Sequence, residues 1–149
     1  MIEEALRIAI PMIAQFEGLR LRPYLCSAGV PTIGYGSTYY LDGTPVTLID
    51  PEITKDQAAQ LLRQTILKTY LPGVMTLCPG LDTPERIAAM VSFAYNLGIG
   101  ALKASTLRKR INAGRWDEVP GEIRKWNKAG GRVLLGLVRR REAECKLIQ

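Results

Sequence analysis

No histidine occurs anywhere in the 149 residues of this chain. That absence excludes Ser-His-Asp and Cys-His catalysis in their usual forms, together with the His-rich zinc sites of many hydrolases. Hydrolytic chemistry at neutral pH is then left mainly to carboxyl groups. Cysteine is scarce: Cys26, Cys78 and Cys145 are odd in number and show no CxxC spacing. Neither a metal site nor a full disulfide framework is expected from them, and no cofactor is expected. No run of 18 apolar residues occurs, so no transmembrane segment is expected. The N-terminus, MIEEALRIAIPMIAQFEG, carries an apolar patch but starts acidic and lacks a basic leader region. It reads as an amphipathic helix, with no signal peptide evident.

What is present is ordinary for a globular chain, with 47% hydrophobic and 23% charged residues. A chain of this length forms one domain that buries roughly two thirds of its unfolded surface without covalent staples. The net charge of +6 favours a polyanionic partner. Nucleic acid, an anionic membrane face or an acidic wall polymer would each suit. A nucleic-acid binder should show a basic stripe interleaved with exposed aromatics, plus a recognisable motif. Neither is found, and no nucleic-acid partner is expected.

Texture changes along the chain. Leu6, Ala9, Ile10, Ile13 and Phe16 recur at helical spacing, predicting a helix over 3–17 that Pro11 should perturb. Gly18 ends it and leaves Glu17 in the last turn. Residues 22–48 are punctuated by Pro23, Gly29, Pro31, Gly34, Gly36, Gly43 and Pro45. They predict a small antiparallel sheet of two or three strands with Asp42-Gly43 at a turn. From Thr54 the period is helical. Thr54 and Gln57 form a capping-box pattern for a helix through about Tyr70, ended before Pro72. Thr83-Pro84-Glu85 opens a helix to about Asn96, and Ser105 or Thr106 caps a short one closed by Gly114. Further helices are expected over about 117–126 and, after the Gly130-Gly131 break, over about 133–147. The fold class is α+β: a β-lobe over about 18–50 against a helical lobe over about 54–149 that includes the N-terminal helix. A helix joining two lobes creates a cleft, the usual seat of a polymer substrate.

The densest segment runs from Glu17 through Cys26 and Thr32 to Ile33-Gly34-Tyr35-Gly36. It sets a carboxyl at a helix end and two small polar side chains on the adjoining sheet. Glycosidic cleavage needs a protonated carboxylic acid at the leaving oxygen and a second group across the sugar. Thr32, Gly34 and Gly36 are expected on one strand face, where the glycines let a sugar ring approach and Thr32 holds a water. With 14 acidic residues in the chain, a lone Glu would be more often a solvated side chain than a catalyst.

The surrounding pattern changes that weighting. Glu, eight residues, Asp or Cys, five residues, then Thr and Ile-Gly-Tyr-Gly resembles the active-site stretch of the phage-type lysozymes, the endolysin muramidases of glycoside hydrolase family 24. Glu17, Cys26 and Thr32 meet that spacing. Matches continue in order through Phe93-Ala94-Tyr95-Asn96-Leu97-Gly98, Ser105-Thr106-Leu107, Gly114-Arg115-Trp116-Asp117 and Gly136-Leu137-Val138-Arg139-Arg140-Arg141-Glu142, nearly the full length.

The resemblance implies hydrolysis, with inversion, of the β-1,4 bond between N-acetylmuramic acid and N-acetylglucosamine in bacterial peptidoglycan, and hence host-cell lysis. It implies a monomer made in the host cytoplasm and acting on the wall in the periplasm. Glu17 would be the general acid, Thr32 would position the water, and Cys26 occupies the place of the second carboxylate. Thr38, Tyr95, Asn96 and Thr106 match positions that line the cleft or touch sugar. A lytic transglycosylase and a non-catalytic wall-binding module are the competing readings. The thiol is a departure: an Asp there is ionised at pH 7, whereas an ordinary thiol is only a few per cent thiolate. Other features have blander readings. Cys26 alone is most often a small buried hydrophobe. Its pairing with Cys78 or Cys145 would switch the enzyme off. Trp116 and Trp126 read as core anchors, and Phe93 as buried beside a cleft-facing Tyr95. Arg139-Arg140-Arg141 reads as a solvated helix face, or alternatively as an attractor for the anionic wall.

Overall fold

The computed structural model describes residues 1–149. Helix α1 (Ile2–Glu17) buries Ala5, Leu6, Ala9 and Ile13 along one stripe. Pro11 does not interrupt it. Pro11 and Arg7 both lie on the exposed face, so the carbonyl left without an N–H partner can meet water. Gly18 ends the helix with φ 74°, a conformation that favours glycine.

Strands β1 (Arg20–Leu25) and β2 (Pro31–Gly34) form an antiparallel pair, with Tyr24 opposite Thr32 and a bulge between Arg20 and Tyr24. After β2 the pairing dwindles to the single bridges Ile33–Ser37 and Tyr39–Pro45. The sheet is therefore two-stranded. The expected shared face of Thr32, Gly34 and Gly36 does not form, because β2 stops at Gly34 and both glycines take positive φ, 69° and 96°. The missing Cβ of Gly34 serves packing: one added there would sit 3.3 Å from the Ala58 methyl.

Helix α2 (Lys55–Thr65) starts in the expected capping box, with both reciprocal Thr54–Gln57 hydrogen bonds made. The expected stop before Pro72 is absent. One π-helical turn (Ile66–Tyr70) leads into α3 (Leu71–Leu77), which carries Pro72 in its first turn. A proline ring collides with the carbonyl four residues earlier, here that of Lys68, and donates nothing to it. Widening the turn relieves that collision, and the Leu71 N–H reaches back five residues to the Ile66 carbonyl.

The remaining chain is helical: α4 (Pro84–Leu97), α5 (Ile99–Ala104), α6 (Thr106–Asn112), α7 (Val119–Arg124) and α8 (Leu135–Ile148). Thr83 and Ser105 cap α4 and α6 by accepting the N–H groups of Arg86 and Arg108, both at 3.1 Å. The sequence reading misses α5, overextends α7, and takes as a plain break what is a tight hairpin of β3 (Lys128–Ala129) and β4 (Arg132–Val133). Helix α4 is buried without interruption from Ile87 to Ala94, which makes it the central element. A cluster of 27 buried residues surrounds it, whereas the β-lobe rests on three, Ile33, Val46 and Leu61. Trp116 and Trp126 pack at the edge of the large cluster, Trp126 edge-on to Phe93 at 5.5 Å. No helix is long and apolar enough to cross a membrane.

Candidate active site

Glu17 emerges where α1 ends at Gly18, with its side chain 23% exposed. It lines two cavities. The larger, about 490 Å³, lies between the β-lobe and the α2–α3 segment and is also bordered by Thr38, Lys68, Tyr70 and Tyr95. The smaller, about 360 Å³, is bordered by Phe16, Asn96, Leu134 and Arg140. A Cβ on Gly36 would meet Glu17 Oε1 at 3.7 Å and the Tyr95 hydroxyl at 3.4 Å. Both are ordinary contact distances, so Gly36 marks how near the two side chains come, and it is the φ of 96° that favours glycine there.

The other oxygen of Glu17 is held from beneath. Arg140 Nη1 donates to Glu17 Oε2 at 2.5 Å. Arg140 is only 4% exposed, so the expectation of a solvated arginine face fails at Arg140 and at Arg141, which is 1% exposed. The reason is the packing of α8 against α4, which turns that side of α8 inward; Arg139 alone of the three stays exposed. Two buried guanidiniums demand compensation. Arg140 donates to the Ser92 carbonyl at 3.1 Å and the Ser92 hydroxyl at 3.3 Å. Ser92 Oγ donates to Glu144 at 2.7 Å, and Arg141 pairs with the same carboxylate at 2.6 Å. Burial pushes the Glu144 carboxyl up, against the downward pull of Arg141, Ser92 and Arg140. Glu17, Arg140, Glu144 and Arg141 thus form a chain of alternating charge in which Glu17 is the member that faces the cavities.

Tyr95 donates its hydroxyl to the Tyr35 carbonyl at 2.7 Å and sets its ring 4.9 Å from that of Tyr70. Burial, and secondarily Glu17, push the Tyr95 phenol far up, so it stays a donor. Asn96 borders the smaller cavity, and its buried Oδ1 receives no hydrogen bond from the protein.

Cys26 and Thr32 are neighbours beyond the cavity lining. Thr32 is 3% exposed and donates its hydroxyl to the Val30 carbonyl at 2.8 Å. Turned toward the sulfur, that hydroxyl joins the donors that hold the Cys26 thiol below its ordinary value. The larger causes are the backbone groups of Val30 and Ala28. Cys26 is partly exposed, Cys78 and Cys145 are buried, and all three are unpaired; burial pushes both buried thiols up to about 11. The structure therefore brings Glu17, Thr38 and Tyr95 to one cavity and Glu17 and Asn96 to the other. It couples Cys26 to Thr32 and leaves Thr106 exposed at the start of α6, bordering neither cavity.

Residues 14–144 match the family model described as phage lysozyme. The chain belongs to the phage lysozyme family. It is 44% identical to the endolysin of Bacillus phage B103 over 143 residues, covering 93% of this chain and 51% of that protein. The chain thus spans about half the length of that curated relative. In three dimensions this family member is similar to the endolysin from Escherichia coli O157:H7 phage FAHEc1, with TM-score 0.83 and 36% identity over 95% of this chain and 90% of that one. It is also similar to the muramidase domain of SpmX from Asticaccaulis excentricus, with TM-score 0.80, 33% identity and 95% of both chains covered. Its fold is therefore the α+β lysozyme fold.

Sequence reading missed Arg140, Ser92 and Glu144. The available signal was Arg140 and Arg141 lying four and three residues before Glu144, one helix face able to neutralise itself.

Proposed function

We propose that this chain is an inverting muramidase, one domain acting as a monomer, that hydrolyses the β-1,4 bond between N-acetylmuramic acid and N-acetylglucosamine in bacterial peptidoglycan. The observation that supports this most directly is the setting of Glu17: one oxygen tied to buried Arg140, the other toward Gly36 at the mouth of the cleft. Endolysin and muramidase, the names of its relatives, fit that setting. Synthesis in the host cytoplasm and action on the wall go with this reading.

In the proposed reaction Glu17 gives its proton to the leaving glycosidic oxygen as the C–O bond breaks. The carboxylate that remains is stabilised where it forms by Arg140, a donor that needs no reorganisation. Water attacks the opposite face of the anomeric carbon, and its oxygen makes the new C–O bond. Thr32 and Cys26 orient that water, and a thiolate at Cys26 takes its proton. Thr38, Tyr95 and Asn96, which border the two cavities, contact sugar.

The test compares Glu17→Gln, Cys26→Asp and Cys26→Ala on purified cell walls. Glu17→Gln should lose at least 10³-fold in rate, since no acid remains at the leaving oxygen. Retention of full activity by that variant would overturn the assignment. Mass analysis of products should find a reducing-end muramic acid. An anhydro sugar would instead make the chain a lytic transglycosylase.

A further inference from the structure

The lining of the larger cavity is uncharged apart from two side chains, Glu17 and Lys68. Glu17 is paired with Arg140. Lys68 has no carboxylate within ion-pair distance, although all 14 acidic residues are placed. Three of the other polar side chains lining the cavity are engaged within the protein. Gln64 donates to the Leu41 carbonyl at 3.1 Å, Thr65 to the Leu61 carbonyl at 2.9 Å, and Tyr40 to Asp50 at 2.7 Å.

Lys68 follows Leu61, Gln64 and Thr65 into the cavity lining at ordinary helical spacing, and the π turn over Ile66–Tyr70 sets what comes after it. In an unbroken α-helix, Tyr70 would follow Ala58, Leu62 and Ile66 into the core at four-residue intervals. The wider turn gives that place to Leu71, and Tyr70 moves to the cavity edge against Tyr95. The causes are local: Thr65 bonds its hydroxyl back to the Leu61 carbonyl, and Pro72 lies four residues beyond Lys68. This helix thus brings an exposed, unneutralised Lys68 and the ring of Tyr70 to the cavity that holds Glu17.

We infer that Lys68 is a specificity residue that pairs with a carboxylate carried on the muramic acid substituent. This rests on the muramidase reading and names what that substrate must present. N-acetylated sugar rings are neutral, so the charged partners they can offer a lone ammonium are the lactyl group and the stem peptide attached to it. The lactyl group presents a carboxylate where no stem is joined to it, and a stem presents carboxylates of its own where one is. A carboxylate on a flexible substituent also suits a cationic side chain that is long, exposed and free to follow its ligand.

The test measures binding in a Glu17→Gln background, so that cleavage is not required. Three soluble glycan preparations are compared: strands with intact stems, strands with stems removed to leave lactyl carboxylates, and intact strands whose carboxylates have been converted to amides. Glu17→Gln should bind acidic strands about three- to fivefold more tightly than amidated ones at low salt, a preference that 0.5 M salt flattens. Adding Lys68→Gln should abolish the preference, and Lys68→Arg should retain it. Preference for the stripped strands identifies the lactyl group as the source, and preference for stem-bearing strands alone identifies the peptide. Equal weakening of acidic and amidated binding by Lys68→Gln, or no weakening, overturns the inference while leaving the muramidase reading intact. Failure to bind any strand overturns that reading itself.

Discussion

The two halves of the site are built on foundations of very different size. Glu17 rises from a helix packed into the cluster of 27 buried residues and is tied to three buried charges, Arg140, Glu144 and Arg141. Thr32 sits on β2 and Cys26 just past the end of β1, where the sheet rests on a cluster of only three buried residues, Ile33, Val46 and Leu61 of α2. The acid is thus fixed by many contacts that no single loop movement can undo, and its counterpart is fixed by a few. Such an asymmetry suits a polymer cleft. The proton donor must be placed to within tenths of an ångström, whereas the opposite wall has to admit a long chain and release it.

Removing the keystone of the firm side should produce the largest change. Glu144→Ala strips the carboxylate from two buried guanidiniums, and breaking a buried pair in this way costs about 3–5 kcal/mol. Thermal unfolding should show a fall in Tm of roughly 6–20 °C, given about 2–4 °C per kcal/mol for a chain of this size. A loss below about 1 kcal/mol would mean that the network contributes little to holding α8 on α4.

Arg140→Lys should separate position from charge. A lysine keeps the positive charge but cannot serve Glu17 and both Ser92 oxygens from one planar fork. Removing a donor preorganised for a developing anion costs about 10²-fold in kcat. We expect a loss of that order on cell walls with KM nearly unchanged. A rise in KM at constant kcat would instead make Arg140 a ground-state binding group.

How much of this was legible in the sequence follows from how local each cause is. Thr54 with Gln57, Thr83 with Pro84, and Ser105 announce their helices because a cap is satisfied within three residues. Glu17 at a helix end was legible for the same reason, since Gly18 follows it. Arg140 and Arg141 were not, because their burial depends on α4, some 48 residues away through Ser92. Pro72 was misread because the ordinary consequence of a proline is termination. The chain instead absorbs it by widening one turn, a solution visible only once Leu71 and Val74 are seen in the core. The resemblance located Cys26 and Thr32, but nothing in the spacing shows that they bond to each other's surroundings and lie outside the cavity lining.

The thin side predicts a smaller and more local effect. Ile33→Val removes one methylene from the three-residue core and should cost about 0.5–1.5 kcal/mol. Hydrogen exchange should show amides of β1 and β2 opening faster while those of α4 are unmoved. Equal acceleration in both regions would show that the two cores unfold as one and would remove the contrast between them.

The subtlest change concerns the pH at which Cys26 works. Its thiol lies below the ordinary value near 9.0, chiefly because backbone groups of Val30 and Ala28, then Thr32, favour the thiolate. A lowered pKa means that the charged, proton-accepting form gains population as pH rises through a range below 9.0 and is lost as pH falls through it. If that thiolate accepts the proton of the attacking water, kcat/KM should climb with pH across the same range. Cys26→Asp replaces it with a group that ionises near pH ~3.9 in model peptides, so the rising limb should move to the acid side by several units. Cys26→Ala should lack the limb. Because Glu17 and Arg140 are untouched in both variants, any remaining pH dependence belongs to the firm side of the cleft. A rising limb that stays in place in Cys26→Asp would assign it to another group and leave Cys26 only the orienting of water.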